Sequence, residues 1–280
     1  MDPDTGPMVR LWDTLADSYD QVGVDFFAPI AAGLVDALDP QPGERAVDLG
    51  CGRGAALLEI ARRIGPSGAA LGGDLSPRMV QACGALARDQ GLAQVTTRVV
   101  DAQTPDVAGV VAALGGPADL LASSLVVFFL PDPRAALACW VDLLRPGGRV
   151  GLSTFGDRDP VWAEVDAIFD PYLPPHLLDA RTSGARGSFA SDAGVEALLL
   201  DAGFDGATTS RRRVAVRFDD AEHWYRFTMS VGQRAFWGFV PEDRRPAVKA
   251  EAFARLAEAT APDGSVSLWQ DARYTVARRA

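Results

Sequence analysis

The chain has 280 residues, of which 48% are hydrophobic and 23% are charged, and its formal net charge is −10. This composition is typical of a globular protein that is long enough to bury its own core. The acidic balance disfavours nucleic acid and anionic membrane surfaces as partners, because both are bound by basic faces. The three cysteines are scattered without a Cys-x-x-Cys pair, which predicts a reduced compartment and no metal site.

Two features bear on localisation. The acidic residues 1–4 lack the apolar stretch of a signal peptide. The longest apolar run, residues 120–130, is far shorter than the roughly 20 residues that a membrane-spanning helix needs. We therefore expect a cytoplasmic protein without membrane association, present as a monomer or a homodimer.

The pattern of the first part of the chain predicts two helices. Residues 11–19 and 26–38 carry apolar side chains at helical spacing. Pro40 and Pro42 end the second helix before the first strand. We expect residues 1–44 to form cap helices, with Tyr19 either bordering a ligand or simply packing on the sheet.

Residues 45–54 read Arg-Ala-Val-Asp-Leu-Gly-Cys-Gly-Arg-Gly, a short strand followed by Gly50, Gly52 and Gly54. A strand, a glycine turn and a helix in this order present backbone N–H groups to a ligand in doubly wound sheets. The glycine spacing differs from the Gly-x-Gly-x-x-Gly of dinucleotide sites, and the carboxylate of Asp48 would repel a pyrophosphate. The pattern favours a cationic ligand with an amino group, although an ordinary tight turn remains an alternative.

The segment Asp-Leu-Gly-Cys-Gly-Arg-Gly resembles the first motif of class I S-adenosylmethionine-dependent methyltransferases. Three further matches follow in the family's order: Asp74 after strand two, Asp101 after strand three, and Leu-Arg-Pro-Gly-Gly at 144–148 before strand five. The resemblance covers residues 46–155. It implies an α/β fold with a Rossmann-like, doubly wound, seven-stranded sheet, helices on both faces, N-terminal cap helices and helical lid insertions.

The resemblance also implies S-adenosylmethionine as cofactor and S-adenosylhomocysteine as product. The glycines would approach the methionine part, Asp48 would favour its ammonium group, Asp74 would hold the ribose, and Leu75 would pack on the adenine. The expected cofactor-binding residues are Asp48, Gly50, Gly52, Gly54, Asp74, Leu75, Asp101, Ala102 and Ser123. Two alternatives stay open: Asp74 or Ser76 could merely cap the next helix, and Asp101 could be a solvated turn residue.

The resemblance divides the chain into cap helices (1–44), a cofactor-binding core (45–155), and a last part (156–280) with lid insertions and two more strands. The aromatic content of this last part suggests an apolar or aromatic small molecule as acceptor, although a satellite core is an equal alternative. O- or C-methylation in secondary metabolism is the expected function.

Candidates for a general base are few. Phe128 and Phe129 stand where many family members have histidines, and phenylalanine cannot move protons. His223, His176 and Tyr19 are the remaining catalytic candidates, and a base is optional for an acidic acceptor because alignment supplies most of the rate.

Three other functions are possible for a chain with this pattern. The glycine spacing and the strand-end carboxylate argue against an NAD-dependent oxidoreductase. No Asn/Asp-Pro-Pro-aromatic tetrad follows strand four, which argues against a protein or nucleic-acid methyltransferase. The third is a methyltransferase fold that binds the cofactor for cyclase or pericyclase chemistry, or only binds it.

Overall fold

The computed structural model describes residues 6–174 and 187–280. The strands are β1 (Arg45–Leu49), β2 (Ala69–Asp74), β3 (Val95–Val99), β4 (Ala118–Ser124), β5 (Leu144–Arg158), β6 (Phe204–Phe218) and β7 (Val266–Arg279). The helices of the described part are α1 (Gly6–Leu15), α2 (Phe27–Leu38), α3 (Leu57–Ile64), α4 (Pro77–Asp89), α5 (Val107–Leu114), α6 (Pro133–Val141), α7 (Pro160–Ala167), α8 (Asp192–Asp201), α9 (Ala221–Ser230), α10 (Arg234–Phe239) and α11 (Arg245–Leu256).

The seven strands form one sheet in the order β3-β2-β1-β4-β5-β7-β6. The neighbours from β3 to β5 pair in parallel, and β7 runs antiparallel to both β5 and β6. The order reverses between β1 and β4, so the carboxyl ends of these two strands meet at a switch point where open α/β sheets bind ligands.

Helices cover both faces of the sheet, as the sequence predicted. Alternate residues of β1 and β4 point to opposite sides, which gives the strands one apolar row for each layer. Ala46 and Leu120 pack with α2, α3 and α4, whereas Val47 and Leu121 pack with α5, α6 and α8. The doubly wound α/β architecture is confirmed.

Several boundaries differ from the sequence prediction. Helix α1 spans Gly6–Leu15 rather than residues 11–19, and β5 spans Leu144–Arg158 rather than 150–155. Helix α5 was not predicted, because its eight residues, Val-Ala-Gly-Val-Val-Ala-Ala-Leu, are apolar on every side and show no periodicity. Its end signals were nevertheless present: Asp106 accepts from Gly109 N–H as an N-cap, and Gly115 adopts a left-handed conformation after the last turn.

Helix α7, which follows β5, and helices α9, α10 and α11, which follow β6, lie on the α2 side of the sheet. Buried residues of α7, α9, α10 and α11 belong to the same apolar cluster as α2. They include Trp162, Trp224 and Trp237. No helix of residues 6–174 and 187–280 has both the length and the apolar character that crossing a bilayer requires.

Candidate functional site

The turn after β1 needs glycine for two different reasons. Gly50 has φ of 77°, and a Cβ atom there would lie 2.3 Å from Cγ2 of Val126, which follows β4. Gly52 has φ of 51°, but a Cβ atom at this residue would meet no atom within 4 Å. Gly50 therefore lets the loop pack against β4, whereas Gly52 keeps open the space in which a ligand can approach the backbone. Gly54 closes the turn by donating its N–H to Cys51 O at 2.8 Å.

Asp48 supplies a buried negative group beside this loop. Its residue is 1% exposed, and among the described residues its Oδ1 atom has no hydrogen-bond partner. Burial, together with the charge of Asp74, raises the pKa of Asp48 to about 7. A buried carboxylate oxygen without a partner fits an ammonium group, which would supply both the missing hydrogen bond and the opposite charge.

Asp74, the last residue of β2, joins the glycine loop to α4. Its Oδ2 accepts from Gly52 N–H at 2.8 Å, and its Oδ1 accepts from Ser76 N–H at 2.9 Å. Burial raises the pKa of Asp74. A carboxylate offers about four acceptor sites, so roughly two remain for the hydroxyls of a ribose. The helix-capping alternative applies to Ser76 instead, because its hydroxyl accepts from Met79 N–H at 3.1 Å.

The remaining expected cofactor residues lie at the same edge of the sheet, and they differ in which of their polar groups already have hydrogen-bond partners. Leu75 is partly exposed next to Asp74. Asp101, which follows β3, is partly buried, and its carboxylate accepts a hydrogen bond from Gln103 N–H at 2.8 Å. Ala102 is buried, and its carbonyl oxygen accepts a hydrogen bond from Trp140 Nε1 at 2.8 Å. Ala102 can therefore still offer its backbone N–H to a ligand.

Ser123 was expected to face the crevice, and the structure corrects that orientation. The residue is fully buried, and its hydroxyl donates to the carbonyl oxygen of Leu49 at 2.8 Å. Because the carbonyl oxygen of Leu49 can only accept, the hydroxyl proton of Ser123 points towards β1 and not into the crevice.

Helix α1 and the residues after it cover the cofactor edge. Asp13 accepts hydrogen bonds from the hydroxyl of Ser76 and, at 3.3 Å, from the N–H of Arg78. Arg53 of the glycine loop reaches back to the carbonyl oxygen of Ala16 at 2.7 Å. The sequence gives no signal for this role of Asp13, since one acidic residue on an amphipathic helix is typical of a solvated face.

A cavity opens on the α2 side of the sheet, with about 810 Å³ of free space including its mouth. The described lining residues are mostly aromatic: Trp12, Tyr19, Phe26, Phe27, Leu125, Phe128, Phe129, Phe155, Arg158, Trp162, Asp166, Phe227, Val231, Gly232, Gln233, Phe236 and Gln270.

The cavity lies beside the expected cofactor residues. Leu125 lines it, and the next residue, Val126, contacts the glycine loop at Gly50. Tyr19 lines it as well, and its pKa is raised by burial first and then by the charges of Asp20 and Asp74. A molecule in the cavity would therefore meet a ligand that is held by the glycine loop and by Asp74.

The three catalytic candidates differ in their position relative to the cavity. Tyr19 borders the cavity and packs on Phe27, with ring centroids 4.7 Å apart. His223 is buried away from the cavity lining: its Nδ1 accepts from Asp219 N–H at 3.1 Å, and its Nε2 lies 2.6 Å from the carbonyl oxygen of Val22. Both ring nitrogens are occupied, so the structure gives His223 a structural position and not that of a base. His176 lies outside the described residues.

Phe128 and Phe129 take part in the cavity wall and not only in the core. Phe129 is 39% exposed and packs edge-on against Trp12, with centroids 5.5 Å apart. Phe128 stacks on Phe155 at 5.6 Å. Two residues that cannot transfer protons thus shape the space where an acceptor would lie.

Comparison with known proteins agrees with this geometry. A model of the methyltransferase domain matches residues 46–148. Nocamycin O-methyltransferase of Saccharothrix syringae is 35% identical over 96% of this chain and 97% of its own length. Aklanonic acid methyltransferase DauC of Streptomyces sp. (strain C5) is 36% identical over 61% of this chain and 76% of its own length.

A solved structure shares the fold at lower identity. The [4+2]-cyclase SpnF superposes with a TM-score of 0.54 at 18% identity, over 90% of this chain and 80% of that one. This likeness shows the fold alone. The match to a methyltransferase over 96% of this chain and the domain match lead to one assignment: the chain belongs to the methyltransferase family and is an S-adenosylmethionine-dependent methyltransferase.

Proposed function

We propose that this enzyme methylates an oxygen atom of a small, planar natural-product acceptor that binds in the aromatic cavity. The observation that carries the proposal is the position of the cavity. Its lining residue Leu125 precedes Val126, which contacts the glycine loop at Gly50, and its lining residue Tyr19 lies within the electrostatic influence of Asp74. The names of the relatives, a nocamycin O-methyltransferase and an aklanonic acid methyltransferase, support an acceptor of this class. The net charge of −10 supports a small molecule over nucleic acid.

The cofactor would lie along the carboxyl ends of β1, β2 and β3. Gly52 leaves room for its methionine part, and Asp48 would pair with its ammonium group. Asp74 would accept from the ribose hydroxyls. The further assignments carried over from the sequence are Gly50, Gly54, Leu75, Asp101 and Ala102. Ser123 is left out because its hydroxyl donates to the carbonyl oxygen of Leu49. When bound, S-adenosylmethionine supplies an activated methyl group on a sulfonium ion.

The protein would contribute alignment and exclusion of water more than proton transfer. Among the described lining residues, the titratable side chains are those of Tyr19, Arg158 and Asp166. Burial raises the pKa of Tyr19, so this hydroxyl stays protonated near neutral pH and can donate a hydrogen bond but is a poor base. Asp166 forms an ion pair with Arg158, so its carboxylate is not a free base. The accepting oxygen should therefore be acidic by itself, such as a phenol, an enol or a carboxylic acid.

A labelled-methyl assay tests the proposal. The purified protein is incubated with S-adenosylmethionine that carries a deuterated methyl group, and with a panel of hydroxynaphthoic acids and hydroxyflavones. We expect S-adenosylhomocysteine and an O-methylated product in equal amounts by mass spectrometry. Label on a carbon atom would contradict O-methylation.

A further inference from the structure

Strand β5 carries a bulge at its carboxyl end. Phe155 pairs with Ala272 of β7, but the next pair joins Arg158 to Gln270. Two residues of β5 thus stand opposite one residue of β7. In a regular strand, Arg158 would point to the side of the sheet opposite Phe155, because side chains alternate. The extra residue returns Arg158 to the side of Phe155, and both line the cavity.

The buried side chain of Gln270 holds this bulge in place. Its Nε2 group donates to the carbonyl oxygens of Asp157 at 3.0 Å and of Gly156 at 3.4 Å. Gln270 is 4% exposed. The carbonyl groups that the bulge removes from the ladder are therefore satisfied by a side chain, which indicates a built feature and not a frayed strand end.

The Arg158 side chain forms one end of a polar cluster in the otherwise aromatic wall. Its Nη1 atom is paired with Oδ2 of Asp166, and Oδ1 of Asp166 accepts from Gln233 Nε2 at 2.7 Å. The side chains of Arg158 and Asp166 are 13% and 12% exposed. The Nε atom of Arg158 is buried and, among the described residues, has no hydrogen-bond partner. A buried charged donor without a partner is costly unless a ligand satisfies it.

The position of Arg158 fixes which part of a ligand it would meet. Ser124 pairs with Ser153, so Leu125, beside the glycine loop, lies level with Thr154. Arg158 follows Thr154 by four residues, one of which is taken up by the bulge. At roughly 3.3 Å per residue, Arg158 therefore lies about 10 Å further along β5 than Thr154. A molecule whose accepting oxygen lies near the glycine loop would present its far end to Arg158.

The geometry points to Arg158 as a specificity-determining residue that donates a hydrogen bond to a carbonyl oxygen at the far end of the acceptor. A carbonyl fits better than a carboxylate, because Asp166 already compensates the guanidinium charge and a second anion would add repulsion. The aromatic wall would hold the conjugated rings between the two ends of the molecule. This inference rests on the proposed function, since it places the acceptor in the same cavity.

Matched naphthalenes test the role of Arg158. Binding of 2-acetylnaphthalene, 2-ethylnaphthalene and 2-naphthoate is followed by quenching of tryptophan fluorescence in the presence of S-adenosylhomocysteine. We expect the wild-type protein to bind the ketone about tenfold more tightly than the hydrocarbon, as for a hydrogen bond to a charged group. In Arg158→Met this preference should fall below about threefold, since Met keeps much of the side-chain volume but lacks the donor.

Two further variants separate recognition from folding. Arg158→Lys keeps the charge beside Asp166 but lacks the planar guanidinium with its Nε donor, so it should fold and still lose most of the preference for the ketone. Arg255→Met is the matched control, because Arg255 pairs with Glu164 of α7 on the surface, at 49% side-chain exposure. It should keep the wild-type preference.

Three outcomes would overturn the inference: equal wild-type affinity for ketone and hydrocarbon, a preference that survives in both Arg158 variants, or tighter binding of the naphthoate than of the ketone. Failure of the proposed function would give a different set of results from failure of this inference. In that case S-adenosylhomocysteine would not bind in calorimetry, whereas the dependence of naphthalene binding on Arg158 could persist without it.

Discussion

The backbone N–H of Gly52 donates to Oδ2 of Asp74 across 2.8 Å, which ties the open middle of the glycine loop to the end of β2. The same carboxylate binds the N–H of Ser76 at the start of α4. One side chain therefore holds the two backbone segments that flank the cofactor edge, before any ligand arrives. This preorganisation lowers the entropy that binding has to offset.

Substitutions at two glycines of the loop should separate folding from binding. Gly50→Ala would place Cβ 2.3 Å from Val126 at φ of 77°, so we expect a clear loss of thermal stability. Gly52→Ala meets no atom within 4 Å, so we expect the variant to fold with a cost on the order of 1 kcal/mol for its φ of 51°. Its methyl group would fill the space proposed for the cofactor.

Thermal unfolding and titration with S-adenosylhomocysteine check this pair. Gly52→Ala should keep a melting temperature within a few degrees of wild type but bind at least tenfold more weakly. Gly115→Ala, at a left-handed glycine with open space around its Cβ position, is the control and should bind normally. Unchanged binding in Gly52→Ala would contradict the placement of the methionine part beside Gly52.

The affinity for the cofactor should depend on pH through Asp48. Burial and the charge of Asp74 raise its pKa to about 7 in the unliganded protein, so the group is largely protonated in mild acid. An ammonium group prefers the ionised form, so affinity should rise as the pH increases towards and through about 7. Calorimetry from pH 5.5 to 8.5 measures this slope, and Asp48→Asn should abolish it. An equal slope in both proteins would contradict the role of Asp48.

The same group predicts how the stability of the unliganded protein changes with pH. The folded pKa of Asp48, about 7, lies above the ordinary value of 3.8, so between these values the folded state holds more protons than the unfolded state. Its contribution to the free energy of unfolding therefore falls as pH rises from about 4 to about 7. Denaturant unfolding of wild type and Asp48→Asn should show a smaller loss of stability with pH in the variant. A larger loss in the variant would contradict the raised pKa.

His223 should matter for stability and not for cofactor binding. Replacement by Leu leaves the carbonyl oxygen of Val22 and the N–H of Asp219 without their partners in a partly buried position, which costs on the order of 1 kcal/mol for each lost hydrogen bond. We expect a lower melting temperature and an affinity for S-adenosylhomocysteine within about twofold of wild type at a temperature where the variant is folded. A loss of methyl transfer without a loss of stability would show that His223 acts in catalysis after all.

The proposed cofactor half of the site could be derived from the sequence because its signals are local. Strand, glycine turn and following helix are adjacent along the chain, and Asp48 and Asp74 stand at strand ends whose positions follow from hydrophobic runs. The same local reasoning could not orient Ser123. Both faces of the central strand β4 are buried, so its sequence does not reveal on which side the hydroxyl finds its acceptor.

The acceptor half could not be predicted, because it depends on contacts between distant segments. The bulge that turns Arg158 into the cavity depends on the register between β5 and β7. Arg158 pairs with Asp166, Asp166 accepts a hydrogen bond from Gln233, and these two residues come from two other segments of the chain. The aromatic residues of the last part of the chain were visible in the sequence. Whether they formed a satellite core or a cavity wall depended on packing, and the structure shows both, with Trp224 fully buried and Phe236 lining the cavity.

The most direct test of the central claim is calorimetric titration of S-adenosylhomocysteine into wild type, Asp74→Ala and the control Asp89→Ala. The control removes an exposed carboxylate at the end of α4. We predict one-to-one binding in the micromolar range for wild type and control. Asp74→Ala should bind about tenfold or more weakly, because the ribose loses its acceptor and Gly52 loses its anchor. Absence of binding to wild type, or equal binding by all three proteins, would contradict the assignment of this cleft to the cofactor.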